Sequence, residues 1–479
     1  MAKYSDHLPT VLFATAEFDP LVKVGGLGEA SSGLVRHLGS MGVNAIVVLP
    51  DYGGIRLAGE TRTALETPQP WCPPIELRRG WIDGEIELIL IGFPGCRRPH
   101  PYVDPETGQG WPDSTDFFLT FSAGVAALAA ETEPDVVHLN DWHTAAALLQ
   151  LPREVASVLT VHNLAYQGVD GASWLERAAR SMPADRTVAD TVVFLHNGDF
   201  NPLAGGISLA DRVVLVSESY RKEAVGERGG FGLHKRLAAK GEDLSGIRNG
   251  IDLGLWNPAD DGRLPVNFDF GDLSGKEICR KELLRTVGLE GDRGPVIGMV
   301  ARLAHQKGID LALEMVPFLE SLSARMILMG SGSPALAASA KAMADRFPQQ
   351  FVARCEYDEA TAHLIIGGSD LLLMPSRFEP CGLTQLQAMT CGTIPVVTAV
   401  GGLRDTVIDT DAHPRRGSGF VAAAANPLDI LNAVHRACRG WSNPRRRAAV
   451  QRRGMTADWS WAKPAHSYVE LYRGLAASR

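Results

Sequence analysis

Two basic residues lie in one loop of the C-terminal half of the chain. Arg302 and Lys307 follow the apolar segment 296–300, which has the composition of a buried strand. Two fixed cations at the C-terminal end of such a strand could bind a pyrophosphate without a metal ion. Solvated loop charges would involve the same residue types, but the shared position after a strand favours an anion-binding site.

A carboxylate and the start of a helix share one turn further along the chain. Glu379 lies in the segment 375–384, PSRFEPCGLT, which follows the apolar segment 370–374. A carboxylate beside unpaired helix N–H groups suits a ligand with one anionic end and one sugar end. The alternative is an ordinary acidic residue in the first helical turn, which is worth ~0.3–1 kcal/mol.

A glycine-rich turn near the N-terminus could approach a phosphate closely. The segment 23–28, KVGGLG, follows a strand predicted over 10–15 and precedes a helix predicted over 29–41. Its spacing matches neither the P-loop nor the G-x-G-x-x-G pattern, so it supports neither a P-loop enzyme nor a nicotinamide enzyme. A tight turn between a strand and a helix is the alternative.

Polar residues end two further predicted strands. Asp141 and His143 follow the segment 135–139, and His162 follows the segment 158–161. Polar side chains at the C-terminal ends of parallel strands are typical of a ligand crevice. Taken alone, they would be interpreted as a helix-capping aspartate and a buried core histidine.

Asp409 and Asp411 have the D-x-D spacing that can hold a metal ion against a diphosphate. They lie in a loop rich in Gly, Pro and Arg, away from any predicted strand end, so we expect a solvated loop. No other group of carboxylates and histidines has metal-ligand spacing. The sequence therefore predicts no metal and no other cofactor.

Two sheets are needed to position these residues. Apolar segments alternate with helix-length amphipathic segments, which indicates parallel strands with helices on both faces. We predict an α/β protein with two Rossmann-like, doubly wound domains that face a deep cleft. The strands are predicted at 10–15, 44–49, 135–139, 158–161 and 212–216 in the first domain, and at 296–300, 325–329, 370–374 and 394–398 in the second.

The segment 245–270 is rich in Gly, Asp, Asn and Pro, and we predict the interdomain connection there. The predicted domains are 1–250 and 251–456, the second of which contains a helix from 308 to about 319. The remaining residues, 457–479, carry Trp and Tyr at amphipathic spacing and predict a terminal helix packed on a domain.

Composition excludes several classes of protein. The chain has 479 residues, enough for two or three domains, and 47 basic against 55 acidic residues disfavour a nucleic-acid-binding protein. The longest apolar run, 117–130, is too short to span a membrane and predicts a buried helix. The first ten residues lack an apolar core, so we expect no secretory signal. Seven cysteines without a C-x-x-C pair predict neither disulfides nor a zinc site, which favours the cytoplasm.

Eight segments together resemble the bacterial glycogen synthases and plant starch synthases, glycosyltransferase family five. They occur in the family's order and span most of the chain. The segments are KVGGLGE at 23–29, NDWHT at 140–144, TVHNLAYQG at 160–168, LSGIRNGID at 244–252, ARLAHQKGID at 301–310, YDEATAH at 357–363, PSRFEPCGLTQLQAM at 375–389 and VGGLRDTV at 400–407.

The resemblance implies the two-domain GT-B architecture, with the C-terminal helix crossing back to the first domain. It implies a retaining transferase that moves glucose from ADP-glucose to the non-reducing end of an α-1,4-glucan during glycogen biosynthesis. It also implies a nucleotide-sugar donor and a glucan or oligosaccharide acceptor as partners, no metal, and neither nucleic acid nor membrane as a partner.

The resemblance also assigns roles to single residues. Arg302 and Lys307 would neutralise the donor diphosphate, and Glu379 would contact the sugar and stabilise the transition state. Asp141 and His162 would face the transferred sugar. The further donor-binding positions are Lys23, Gly25, Gly26, Asn249, Tyr357, Cys381, Gly382, Leu383 and Thr384.

The sequence departs from the family at four places. Ala204 stands where the family has a lysine, and Gln387 where it commonly has a tyrosine. The family block Pro-Asp-Asn-x-x-Arg-Phe has become PDSTDF at 112–117, which includes Asp116, and the segment 168–197 looks unlike the family. We expect these positions to line the acceptor side or the outer hydroxyls of the sugar.

Other functions remain open at this point. A family relative could have been recruited to another nucleotide-activated donor or to a small oligosaccharide or pseudo-oligosaccharide acceptor. Nucleotide-sugar epimerases and phosphorylases share the architecture, although a phosphorylase would need a pyridoxal-binding lysine and a much longer chain. A carbohydrate-binding module would not need the phosphate-side cations.

Overall fold

A computed structural model of the chain describes residues 8–179, 182–289 and 294–478. The chain divides into two units, which we call the first unit (Met1–Gly250 with Trp461–Arg479) and the second unit (Ile251–Ser460). The connection from the first unit to the second therefore lies within the segment 245–270. The return to the first unit occurs at Trp461.

A large, mostly parallel sheet forms the centre of the first unit. Its strands are β1 Thr10–Ala14, β2 Asn44–Pro50, β3 Ala58–Leu65, β4 Ile75–Ile82, β5 Ile86–Gly92, β6 Val136–Asn140, β7 Ala156–Val161, β10 Arg212–Leu215 and β11 Leu244–Gly246. Between β7 and β10, the strands β8 Leu195–His196 and β9 Asp199–Phe200 form a separate small hairpin. The sheet order is β11-β10-β7-β6-β1-β2-β5-β4-β3, and only the pairs β3–β4 and β4–β5 are antiparallel.

Nine helices accompany these strands in the described part of the first unit before residue 250. They are α1 Gly26–Ser40, α2 Ser114–Thr132, α3 Trp142–Ala145, α4 Ala147–Gln150, α5 Ser173–Ala178, α6 Val188–Val192, α7 Pro202–Leu209, α8 Glu218–Ala224 and α9 His234–Ala239. A 3₁₀ turn, Gly241–Asp243, precedes β11. The predicted apolar helix at 117–130 is the buried middle of α2.

The second unit contains a six-stranded sheet in which every pair is parallel. Its strands are β12 Val296–Val300, β13 Arg325–Met329, β14 Phe351–Arg354, β15 Leu371–Met374, β16 Ile394–Thr398 and β17 Phe420–Ala422, in the order β14-β13-β12-β15-β16-β17. These strands are near-continuous apolar runs because helices cover both faces of a parallel sheet.

The helices of the second unit separate successive strands. They are α10 Ser274–Val287, α11 Ile309–Leu313, α12 Pro334–Arg346, α13 Glu359–Gly368, α14 Thr384–Thr390, α15 Gly401–Thr406, α16 Pro427–Trp441 and α17 Pro444–Thr456, with 3₁₀ turns at His305–Lys307 and Val316–Phe318. The prediction of two α/β domains with parallel sheets is confirmed.

The C-terminal helix α18, Ala462–Ala476, packs on the first unit, as predicted. Trp461 and Tyr468 are buried in the same core as α1 and β1. Tyr472 is also buried, and its hydroxyl lies 2.6 Å from Nδ1 of His138 on β6. A buried polar contact within an apolar interface fixes the helix in one position.

Two predicted helices differ from those observed. Helix α1 begins at Gly26, three residues before the predicted start, so Gly26 and Gly28 are helical. The helix predicted from 308 to about 319 is interrupted after α11 and continues only as the 3₁₀ turn around Pro317. Proline cannot donate a backbone hydrogen bond, which explains the interruption.

None of the helices in the described ranges has the length and apolar character needed to cross a bilayer.

Candidate active site

Two neighbouring loops of the second unit carry the predicted phosphate-side and sugar-side residues. The first loop follows β12 and contains the exposed Arg302 and the partly exposed Lys307. The second follows β15 and contains Glu379. Strands β12 and β15 are paired and parallel, so both loops leave the sheet at the same edge. This edge is where open α/β sheets bind ligands.

Lys307 and Glu379 form an ion pair at this edge. The Lys307 Nζ lies 2.9 Å from Oε1 and 2.7 Å from Oε2 of Glu379. The Glu379 side chain is 5% exposed and the Lys307 side chain is 19% exposed. The resemblance assigned these side chains to different parts of a donor, whereas here they contact each other. Because both charges are largely removed from water, a change at one alters the other.

Hydrogen bonds of neighbouring residues hold the loop that carries Glu379 in place. The Gly402 N–H donates to the Glu379 carbonyl at 3.0 Å. The Arg377 guanidinium forms two hydrogen bonds to Asp310, of 2.8 and 2.7 Å, and holds the pKa of that carboxyl below its usual range. The Arg377 N–H also donates to the Gln306 carbonyl at 2.8 Å. The contacts of Arg377 tie the two loops together beside the Lys307–Glu379 pair, and the Gly402 contact ties the Glu379 loop to α15.

Gly401→Ala is expected to destabilise the Glu379 loop and to lower activity. Gly401 has φ +42°, and a Cβ there would lie 2.0 Å from the Glu379 carbonyl oxygen. A side chain in this conformation costs of order 1–3 kcal/mol even before the clash moves Glu379. Urea unfolding and turnover measure the two effects.

Gly474→Ala is the matched control, because a Cβ at Gly474 in α18 meets no atom within 4 Å. This variant is expected to match or exceed wild-type stability, since alanine favours a helix over glycine by roughly 0.5–1 kcal/mol. Wild-type stability and turnover in Gly401→Ala would contradict the close packing of Gly401 on Glu379.

The predicted donor-binding residues after Glu379 lead into α14. Cys381 is buried, and Gly382 has φ +72°, a left-handed conformation that glycine adopts without strain. Leu383 precedes α14 as its N-cap and makes no side-chain cap bond, and Thr384 is the first helical residue. Tyr357, by contrast, lies 51% exposed just before α13.

Asp141 and His162 lie together at the C-terminal edge of the first unit's sheet. The Asp141 Oδ1 accepts a hydrogen bond from the His162 N–H at 2.7 Å. Asn140, the last residue of β6, places its Oδ1 3.0 Å from His162 Nε2. Asp141 has φ +56°, which is uncommon for a residue other than glycine. Such conformations cluster at functional sites, where neighbouring contacts maintain them.

The surroundings set the protonation of this pair. Burial raises the pKa of Asp141 to about 7, against the lowering effect of the N–H groups of His162 and Asn163. Burial lowers the pKa of His162 to about 3, so its imidazole is neutral at pH 7. The Asn140 amide nitrogen donates to the Ala14 carbonyl, which leaves its oxygen to accept from His162 Nε2–H.

Glu17, which the sequence analysis did not identify, holds the glycine-rich turn. Its Oε2 accepts the N–H of Val24 at 2.7 Å and that of Gly25 at 2.9 Å. Its Oε1 accepts the Tyr102 hydroxyl at 2.7 Å, and Glu17 is 3% exposed. Two N–H groups of the turn are therefore bonded within the protein. Two acidic residues, Glu17 and Asp19, lie between β1 and the glycines, and the sequence did not show which of them would bind the turn.

The other predicted donor-binding residues of the first unit have different surroundings. Lys23 is partly exposed and forms an ion pair with Asp19 at 2.9 Å. Asn249 is buried one residue before the end of the N-terminal segment of this unit, and its carbonyl accepts from Arg248 Nη1 at 2.9 Å. Gly26 begins α1.

Residues 411–416 of the D-x-D loop are exposed, as predicted, and its two aspartates also belong to an ion-pair network. Arg436 bridges Asp409 at 2.9 Å and Asp411 at 2.8 Å, and Arg446 also pairs with Asp411. Both carboxyl groups have lowered pKa values, because hydrogen bonds and these arginines outweigh burial. Within residues 8–179, 182–289 and 294–478, no group of three His, Cys, Asp or Glu side chains is placed to hold a metal ion.

The departures from the family occupy several places in the fold. Arg177, in the family-unlike segment, forms an ion pair with Asp116 at 2.6 Å, so two departing segments are joined. The Arg177 guanidinium also stacks on Trp71 and Trp174, 4.9 and 5.2 Å from the ring centres. Residue 204 is buried in α7, and residue 387 is buried in α14.

Comparison with known proteins connects this arrangement to one family. Residues 10–239 match the family described as Starch synthase catalytic domain, and residues 280–453 match Glycosyl transferases group 1. The chain is 39% identical to a glycogen synthase of Halorhodospira halophila over 98% of this chain and 99% of that protein. It is 37% identical to a glycogen synthase of Dechloromonas aromatica over the same shares of the two chains.

Solved structures agree with the sequence relatives. The catalytic domain of starch synthase IV from Arabidopsis thaliana, bound to ADP and acarbose, superposes with a TM-score of 0.88 and 29% identity over 98% of this chain and 100% of that one. Sucrose-phosphate synthase from Thermosynechococcus elongatus, at TM-score 0.62 and 18% identity over 98% and 100%, shares the fold. The chain belongs to the glycogen synthase and starch synthase family of glycosyltransferases.

Proposed function

We propose that the protein transfers glucose from ADP-glucose to the non-reducing end of an α-1,4-glucan with retention of configuration. The observation that carries this proposal is the Lys307–Glu379 pair at the C-terminal edge of the second unit's sheet. It puts a partly exposed cation beside a buried carboxylate in a chain that matches glycogen synthases over almost its full length, and we propose that the cation binds phosphate and the carboxylate faces the sugar.

The phosphate side of the reaction rests on Arg302 and Lys307. Breaking the bond between the sugar and the diphosphate increases the negative charge on the leaving group. Two cations fixed in one loop after β12 stabilise that charge as it develops, which is the most effective use of preorganised charge. Their presence removes the need for a metal ion, and we propose a reaction without a metal or other cofactor.

On the sugar side, we propose roles for Glu379, Asp141 and His162. The departing diphosphate leaves positive charge on the sugar carbon and ring oxygen, and the buried Glu379 carboxylate stabilises it. In the first unit, Asp141 holds the His162 backbone through the hydrogen bond to its N–H. We propose that this contact aims the His162 carbonyl and the Asp141 carboxyl at the transferred sugar.

We propose that Lys23, Gly25 and Gly26 approach the diphosphate, and that the N–H groups from Gly382 to Thr384 contact sugar and phosphate. Cys381, Asn249 and Tyr357 complete the proposed donor set. We also propose a reducing, cytoplasmic setting, in keeping with seven free cysteines.

Product analysis with a panel of donors tests the function. Purified enzyme is incubated with ADP-glucose, UDP-glucose or GDP-glucose and a maltooligosaccharide, with and without EDTA. We expect chain lengthening with ADP-glucose at a turnover of order 1–10³ per second. EDTA is expected to leave that rate unchanged. An enzyme whose hydrogen bonds suit one donor can reject another by ~10⁴.

Two outcomes would contradict this proposal. An enzyme that is inert with ADP-glucose but releases nucleoside diphosphate from another sugar donor has a different substrate. Loss of transfer with EDTA, restored by Mg²⁺ or Mn²⁺, would show that a metal ion takes part in the reaction.

A further inference from the structure

Ser376 is a second hydrogen-bond partner of the Glu379 carboxylate. Its Oγ donates to Glu379 Oε2 at 3.0 Å, beside the Lys307 Nζ that donates to the same oxygen at 2.7 Å. Ser376 is 1% exposed. The Glu379 carboxylate is therefore held by one partly exposed cation and by one neutral hydroxyl that is closed off from solvent.

The two partners differ in how firmly they are fixed. Lys307 reaches Glu379 at the end of a flexible side chain that is 19% exposed, so an anionic ligand can approach its ammonium. Ser376 has a short side chain, and its own carbonyl accepts a hydrogen bond of 2.5 Å from the Thr398 hydroxyl on β16. A ligand can therefore draw Lys307 away from Glu379 while Ser376 stays in place.

Under the proposed function, donor binding draws Lys307 away from Glu379. A diphosphate that pairs with Lys307 competes with Glu379 for the ammonium. A carboxylate that is 5% exposed and has lost its Lys307 partner would favour the protonated form. A protonated Glu379 carries no charge and could not stabilise positive charge on the sugar.

We propose that Ser376 is a positioning residue that keeps Glu379 ionised and oriented once the donor diphosphate has engaged Lys307. A hydrogen bond donated to a carboxylate favours its ionised form. It also fixes the rotation of the carboxyl group, because Ser376 and Glu379 lie on the same short loop after β15. This inference rests on the proposed function for the identity of the anion that meets Lys307.

Calorimetry of ADP binding tests the inference without relying on turnover. ADP is titrated into wild-type enzyme and Ser376→Ala in buffers of different ionisation enthalpy at one pH, which yields the protons taken up per ADP bound. We expect Ser376→Ala to take up an additional fraction of a proton. The affinity for ADP should change by no more than a few-fold, because Ser376 does not face the phosphates.

Kinetics give a second measurement. The kcat of Ser376→Ala is expected to fall by about tenfold, the scale of one hydrogen bond to a charged group. The acid limb of its pH–rate profile should move to higher pH, because the ionised carboxylate has lost a donor. Ser376→Thr, which keeps the hydroxyl, is expected to restore both the proton count and the acid limb.

Two controls separate positioning from a general loss of structure. Combining Ser376→Ala with Glu379→Gln should abolish the extra proton uptake, because an amide cannot take up that proton. Ser369→Ala removes another fully buried hydroxyl of the second unit, one with no partner among the described residues, and should leave proton uptake and kcat unchanged.

Equal proton uptake in wild type and Ser376→Ala, with unchanged kcat, would overturn the inference. So would extra uptake that persists in the double variant, because the proton would then bind elsewhere. A wild-type enzyme that does not bind ADP would instead overturn the proposed function, which keeps the two failures distinct.

Discussion

Replacing Lys307 with alanine is expected to lower kcat/KM by about 10²–10³-fold, while ADP binding weakens far less. Under the proposed function, the ammonium neutralises charge that grows on the diphosphate as the sugar leaves, so its effect is greatest in the transition state. The variant also leaves Glu379 with Ser376 as its remaining side-chain donor among the described contacts. Steady-state kinetics and calorimetry with ADP measure the two effects separately.

Lys341→Ala is a suitable control for the Lys307 variant, because it removes an exposed lysine on α12 of the same unit and should leave kcat/KM unchanged. Arg302→Ala is expected to show a loss on the same scale as Lys307→Ala. A Lys307→Ala enzyme that retains more than roughly a tenth of wild-type kcat/KM would contradict the role given to this cation.

Replacing Glu379 with alanine or glutamine is expected to reduce turnover by at least about 10²-fold without weakening ADP binding. Under the proposed function, the carboxylate stabilises charge on the sugar and does not bind the phosphates. The structure adds a stronger expectation. The Glu379 Oε2 lies 2.7 Å from the Lys307 Nζ, so Glu379 competes with the diphosphate for that ammonium. Removing it frees Lys307, so the variants should bind ADP as tightly as wild type or more tightly.

Calorimetry with free ADP and single-turnover kinetics with ADP-glucose measure the Glu379 variants. Glu320→Gln, at an exposed position of the second unit, is the matched control for loss of a carboxylate. If the Glu379 variants lose ADP affinity as much as they lose activity, Glu379 serves the phosphates and the proposed division of roles is wrong.

The losses of activity in a double variant of Glu379 and Lys307→Ala should be non-additive, because the two side chains act as one unit.

The amino-acid sequence determined the two α/β units and most of their strands. The second-unit strands β12, β13 and β16 coincide with the predicted segments, because a buried parallel strand is a continuous apolar run between helix-forming stretches. The sequence did not indicate the other eight strands of the described ranges, which are β3, β4, β5, β8, β9, β11, β14 and β17. Strand β3 is largely exposed and polar, so its pairing depends on neighbouring strands.

The site residues at strand ends were predictable because the apolar runs that precede them could be located in the sequence. Parallel strands all end at one edge of a sheet, so a polar residue placed just after an apolar run faces the region where ligands bind. Asp141, His162 and Lys307 were identified in this way, and the resemblance to a family then supplied their roles. Those roles remain predictions for the experiments above.

Only the tertiary structure revealed which of these groups touch one another. Lys307 and Glu379 are 72 residues apart, and their pairing depends on β12 and β15 lying side by side. The Arg377–Asp310 bridge has the same origin. Hydrophobic periodicity reports the local conformation of a segment and carries no information on which distant charge will satisfy a buried one.

Glu17 and Ser376 show most clearly what could not be predicted from the sequence alone. Each has an unremarkable residue type at an unremarkable spacing, and each acts through a contact that forms only when the backbone folds back on itself. A buried carboxylate must find donors, but the sequence does not say which ones. The tertiary structure therefore decided that the glycine-rich turn is held by Glu17 and that the Glu379 carboxylate is shared between Lys307 and Ser376.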